Sequence, residues 1–108
     1  MTVTRLVDIL DARIANLADG DREVVTCYCG DFLSNVMGKA PADSAWFTVM
    51  NNVNVCAVAS LTDVSVVVLC EGAQPDEALT ARAAEQDINL ILTDRDVFSA
   101  AVAAAGEL

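Results

Sequence analysis

The sequence predicts an α/β fold: one compact domain over residues 1–108, with a mostly parallel sheet of about four to five strands flanked by helices. Three observations predict it. From Ala45 onward, segments of strand and helix character alternate, and helical crossovers between successive strands imply parallel pairing with right-handed connections. Hydrophobic residues make up 55% of the chain but aromatic ones only 5%. The core must therefore come from Val, Leu, Ile and Ala, which suits buried parallel strands under Ala-rich helices. A length of 108 residues is close to the modal size of a single domain, and no linker, repeat or low-complexity tract divides it.

Taken in order, Val3, Leu6, Val7 and Leu10 recur at helical spacing and predict an amphipathic helix over 2–11, capped by Thr2. A short strand around Ala12–Ala15 and a polar loop containing Gly20 follow. Glu23–Cys29 is β-rich and short, a strand. Gly30-Asp31 opens a helix over Phe32–Lys39, with Asp31 placed to accept from the free N–H groups of its first turn. Pro41 ends it. Ala45–Met50 reads as a strand and Val53–Leu61 as a helix buried on most of its circumference. Ser65–Cys70 is a buried strand, and Pro75-Asp76-Glu77 starts a helix that runs to about Gln86. Asn89–Leu92 is the last strand. Thr93-Asp94 then caps a final helix carrying Val97, Phe98, Ala101, Val102 and Ala105 on one face, with Gly106 at its end.

Charge narrows the function. Six Lys plus Arg stand against sixteen Asp plus Glu, a net of −10. A nucleic-acid binder needs clustered cations to displace counterions, whereas here Lys39 is the one lysine and the arginines are scattered. Nucleic acid and an anionic membrane surface are both disfavoured as partners. No run of about 18 apolar residues exists, and the first residues lack the layout of a signal peptide, so the chain reads as cytoplasmic. Cys27, Cys29, Cys56 and Cys70 are then expected as thiols. Cys27-Tyr28-Cys29 has one intervening residue and there is no histidine, a poor match to structural zinc. On a strand, the two would share one face and pack as small hydrophobes. A domain this small buries a limited share of its surface, which makes a homo-oligomer the expectation.

Chemistry in an open parallel sheet belongs beyond the carboxyl ends of the strands. The candidates there are Gly30, Asp31 and Ser34; Asn51, Asn52 and Asn54; and Thr93 and Asp94. The asparagines offer neutral donors and acceptors where a helix opens, suited to a phosphate, a carboxylate or the edge of a base. Asparagines are equally the residues of turns and caps, and both readings stand. No cofactor is implied. Without histidine there is no His general base and no Cys–His pair, and neither a P-loop nor a Gly-x-Gly-x-x-Gly turn is present. Asp19 and Asp21, or Asp94 and Asp96, have the spacing of Mg²⁺ ligands but also of solvated turn and cap residues.

The stretches Asp21-Arg22-Glu23-Val24-Val25-Thr26, Gly30-Asp31-Phe32-Leu33-Ser34-Asn35-Val36-Met37 and Asn54-Val55-Cys56-Ala57-Val58-Ala59 resemble the DRTGG-domain family over nearly the whole chain. Thr26-Cys27 stands where that family has a glycine-bearing turn, and Asn52 where its members commonly carry histidine. The resemblance implies a fold like the N-terminal domain of the bacterial HPr kinase/phosphorylase, which is not the half that binds ATP or transfers phosphate. DRTGG domains also sit beside CBS domains in pyrophosphatases and beside phosphotransacetylase, which implies regulation rather than catalysis. Some stand-alone relatives are encoded near hydrogenase or NADH-oxidising subunits, which implies a redox-complex partner.

Two functions follow as expectations. The first is a non-enzymatic regulatory or protein-interaction module, homodimeric, associated with a metabolic or redox enzyme complex. The second is a sensor for a nucleotide or phosphorylated metabolite at the strand carboxyl ends.

Overall fold

In a computed structural model, which describes residues 1–108, ten elements follow one another. They are α1 (Val3–Leu10), β1 (Arg13–Asn16), β2 (Thr26–Cys29), α2 (Leu33–Lys39), β3 (Ser44–Thr48), α3 (Asn54–Thr62), β4 (Val66–Leu69), α4 (Glu77–Glu85), β5 (Leu90–Leu92) and α5 (Val97–Ala105). The strands form one sheet in the order β1-β5-β4-β3-β2. β2, β3, β4 and β5 are mutually parallel, and β1 closes the far edge antiparallel to β5. The expected α/β architecture is therefore present, with five strands.

Strand alternation divides the core in two. Trp46, Val67, Leu69, Leu90 and Leu92 point to one face, under Val36 of α2, Val55 and Val58 of α3, and Leu79 and Ala83 of α4. Ala45, Phe47, Val66, Val68, Cys70 and Ile91 point to the other, under Val3, Leu6 and Leu10 of α1 and Ala100 and Ala104 of α5. The strands β2 to β5 are laid down one beside the next in a single direction, and crossovers of one hand then place α2, α3 and α4 on the same side. Only α1 and α5 are left to cover the opposite face.

Four expectations need correction. The strand Glu23–Cys29 is shorter, because Glu23 makes an isolated bridge to Thr2 instead of joining the ladder. Asp31 does not cap α2: Phe32 holds that position and makes no side-chain cap bond. Its carboxylate is drawn to the end of β3, accepting from Thr48 Oγ1 at 2.7 Å and from the Val49 N–H at 2.9 Å. The cap of α5 is Asp96, whose Oδ1 accepts from the Ser99 N–H at 2.6 Å, and not Thr93-Asp94.

The buried stripe of α5 also differs from the expected face. Ala100 and Ala104 are fully buried, whereas Phe98 is 77% and Val102 53% exposed. Residues two apart on a helix lie about 200° apart, so a stripe through Ala100 and Ala104 turns Phe98 and Val102 outward. Small side chains let the helix approach the sheet closely, at the expense of presenting its largest apolar groups to solvent. Thr2 caps α1 as expected, accepting from the Arg5 N–H at 3.1 Å.

Part of the acidity is conformational. Asp11, Asp43, Asp63 and Asp87 all have positive φ, and Asp11 and Asp63 terminate α1 and α3. Such turns favour glycine, and a short polar side chain is the next best tolerated.

Candidate functional site

The carboxyl ends of β2 to β5, with the starts of the helices that follow, carry the candidate ligand-binding residues singled out from the sequence. Gly30 closes β2, donating its N–H to Phe47 O at 3.2 Å and accepting from Trp46 Nε1 at 2.9 Å. Asp31 is bound to the end of β3 as described, and Ser34 lies exposed on α2. Asn51 spans to the next loop: its Nδ2 donates to Gln74 O at 2.7 Å, and its carbonyl accepts from the Asp76 N–H at 3.1 Å. Asn52 Oδ1 accepts from the Asn54 N–H at 3.0 Å, so it satisfies a free donor at the start of α3. Asn54 is exposed as the first residue of α3. Two of the three asparagines thus have polar groups engaged within the fold, Asn52 in a local turn at the start of α3 and Asn51 in a bridge between two loops.

Thr93 and Asp94 sit elsewhere along the same edge. Successive crossovers leave β2, β3 and β4 toward one face, but the chain leaves β5 toward the other. The boundary between β4 and β5 is therefore the switch point, where a crevice is expected. Here it is zipped shut. The Glu71 N–H donates to Arg95 O at 2.8 Å and the Gly72 N–H to Thr93 O at 3.1 Å, with Gly72 in the left-handed conformation that the turn requires. The open space lies one step over, on the β5–β1 side. A cleft of about 250 Å³ is lined by Leu10, Asp11, Arg13, Thr93, Asp94 and Arg95. Arg13 reaches across it to Asp94, at 3.2 and 3.5 Å.

A second cleft, about 200 Å³, lies at the opposite, amino-terminal edge of the sheet, between the ends of α3 and α4. Sequence reasoning missed this region. Arg22 donates there to Asp43 Oδ1 at 3.0 Å, to Asp63 Oδ1 at 3.0 Å and to Asp63 O at 2.8 Å. Partial burial works against its charge, but hydrogen bonds and attraction from both aspartates outweigh it and hold the guanidinium pKa above its ordinary value. Arg22 therefore ties two left-handed corners together. Asn89, buried beside it, is saturated by four hydrogen bonds. Nothing in a lone Asn or Arg could have signalled this. The spacing relevant to each partner spans 21 to 71 residues.

The cysteines divide by position. Cys56 and Cys70 are buried, and Cys27 packs partly into the core beneath α5, but Cys29 is exposed at the end of β2 and is not packed as expected. Burial raises the pKa of all four thiols, most at Cys70, which is pushed up to about 12. No three Cys, Asp or Glu side chains converge in the manner a metal ion requires.

No family model matches the chain, and no curated protein sequence does. Among solved structures, it is similar to the CBS and DRTGG domains of the regulatory region of Clostridium perfringens pyrophosphatase, determined in complex with the activator diadenosine tetraphosphate. The TM-score is 0.78 at 16% sequence identity, and the match covers 99% of this chain and 47% of that one, so the chain spans about half its length. No helix is long and apolar enough to cross a membrane. Order of elements, parallel ladder and structural likeness agree: the chain has a DRTGG-like α/β fold, shared with the regulatory region of that pyrophosphatase.

Proposed function

We propose that the chain is a regulatory, non-catalytic interaction module of the cytoplasm that works as a homodimer and docks on a metabolic or redox enzyme complex. One observation carries the reading: a neutral, unpaired sheet edge flanked by exposed apolar side chains. β2 is a terminal strand, and the segment Val24–Cys29 holds no charge in a chain of net −10. In so acidic a chain, an uncharged segment is where a second copy can approach with the least local repulsion. Val25 is 61% exposed, and α5, which lies against β2 and β3, presents Phe98 and Val102 to solvent. Open edges invite pairing with another chain, and grouped exposed apolar residues mark docking surfaces. The likeness to a regulatory region supports the same reading.

The test is sedimentation of the purified chain over a range of concentrations, alone and as Phe98→Glu. A dimer that the substitution dissociates is the expected result. A monomer at high concentration would overturn the homodimer, and failure to bind any enzyme in reconstituted mixtures would remove the docking role.

A second reading, a sensor of a nucleotide or phosphorylated metabolite, is favoured by the dinucleotide activator bound in the similar structure. Its proposed site is the carboxyl edge with Gly30, Asp31, Ser34, Asn51, Asn52, Asn54, Thr93 and Asp94. Thermal unfolding against nucleotides, diadenosine tetraphosphate included, tests it. A ligand at one hundred times its Kd adds about 2.7 kcal/mol, and a flat panel counts against the sensor.

A further inference from the structure

We propose that the cleft formed by Leu10, Asp11, Arg13, Thr93, Asp94 and Arg95 is an oxyanion site, which takes the phosphate group of a small molecule. The proposal rests on the sensor reading and narrows its carboxyl edge to the β5–β1 cleft, away from the β2 edge, so failure here leaves the Asn51–Asn54 loops and the interaction module untouched. The chain has six cationic side chains, and two of them, Arg13 and Arg95, line this one cleft. The Arg95 guanidinium enters none of the ion pairs that occupy Arg5, Arg13, Arg22 and Arg82. Arg13 is held only by Asp94, at 3.2 Å between two side chains that are 51% and 78% exposed. An exposed pair of that kind is worth about 0–1 kcal/mol. A phosphate dianion, bound by the guanidinium fork through charge-assisted hydrogen bonds, is the stronger partner and displaces it.

Thr93 completes the cradle. Its side chain is buried at the cleft, and Oγ1 accepts from the Arg95 N–H at 3.2 Å, which leaves the hydroxyl hydrogen free to donate to an oxyanion. The end of α5 contributes little, because the Asp96 carboxylate accepts from the Ser99 N–H there and sets a like charge against an incoming anion. The size sets the ligand class. About 250 Å³ is less than the roughly 300–1,000 Å³ of pockets that enclose a drug-sized ligand, so the anionic group enters and the rest of the molecule stays outside. Asp11 and Asp94 oppose the arginines. They keep the affinity modest, and within this cleft the place of Asp94 in the carboxyl-edge site is that of a competitor for Arg13, displaced when the phosphate binds.

The experiment is titration of the ¹⁵N-labelled chain with inorganic pyrophosphate at fixed ionic strength, followed by amide shifts. Saturable shifts centred on Arg13, Thr93 and Arg95 are expected. Arg95→Gln and Arg13→Gln should each weaken binding by about tenfold or more, the loss of one charge-assisted contact. Asp94→Asn should tighten it several-fold, whereas Arg82→Gln, on α4, should leave it unchanged. No saturable shift below about 10 mM, shifts centred elsewhere, or binding indifferent to both arginine variants would overturn the site. Weaker binding in Asp94→Asn would overturn the competitor role. The Arg95 side chain makes no hydrogen bond and no ion pair within the fold, so its variant carries the test should Arg13→Gln fail to fold.

Discussion

Replacing Asn89 by Ala should destabilise the domain by about 3 kcal/mol, a large share of the roughly 5–15 kcal/mol typical of a whole fold. The side chain is 3% exposed and makes four hydrogen bonds. Oδ1 accepts from the N–H groups of Ala18 at 2.8 Å and Asp19 at 2.9 Å, and Nδ2 donates to Asp19 O at 2.9 Å and Ser65 O at 3.0 Å. At about 1 kcal/mol each the bonds sum to about 4 kcal/mol. The partners at Ala18 and Asp19 lie on exposed residues and recover water, which brings the loss to about 3 kcal/mol. Ser65 O, in the buried bond, has no such replacement. The assay is urea unfolding followed by the emission of Trp46, the one tryptophan, which is fully buried. The melting temperature should fall by about 12 °C or more. Asn89→Asp should be at least as damaging at neutral pH, because it sets a carboxylate against two carbonyl oxygens. A loss below about 1 kcal/mol for Asn89→Ala would refute the reasoning.

Other outcomes follow from the same geometry. Burial, with repulsion from Cys29 and Glu71, outweighs an opposing backbone hydrogen bond at Thr48, and with a lesser push from Asp31 raises the Cys70 pKa from 9.0 to about 12. Between those values the unfolded chain has lost a proton that the folded chain keeps, so stability falls by about 1.4 kcal/mol per pH unit from this group alone. Below pH 9 its contribution is flat; a Cys70→Ala variant whose alkaline slope matches the parent would contradict this. Asp96→Ala should cost about 1 kcal/mol through loss of the α5 cap, while Asp94→Ala costs little, its ion pair being exposed. Equal losses in denaturant titrations would remove the cap assignment. In thiol labelling of the native chain, Cys29 should react first and Cys56 and Cys70 only on unfolding. Prompt reaction at Cys56 would contradict the packing.

Much of the fold was legible because its signals are local. The continuous apolar run of β4 is buried along its full length, Thr2 caps the helix it precedes, and Pro41 follows the end of α2. Asp31 and Asp94 looked like caps because a carboxylate before a helix usually is one, yet Asp31 was claimed by Thr48 across the sheet, and α5 starts two residues after Asp94, with Asp96 as its cap. The sequence cannot say which of two available donors a side chain meets when one lies on another strand. The α5 stripe failed similarly. A helix carrying Val97, Phe98, Ala100, Ala101, Val102 and Ala104 is apolar around most of its circumference, and periodicity then leaves the buried face undecided.

Composition and pattern by themselves determined the class: aliphatic strands alternating with helices, a chain without histidine and a net charge of −10. Those properties depend on residues near one another in sequence or on totals. Only the tertiary structure decided that β5 pairs with β1 and β4 rather than forming an edge, that the switch point is zipped closed, and that Arg13 and Arg95 meet beside it. Arg13 and Asp94 are 81 residues apart, and Asn89 and Ala18 are 71 apart. Such contacts exist only after the sheet has brought both ends of the chain together, because hydrogen bonds and ion pairs act over a few ångströms while the sequence orders residues along a line.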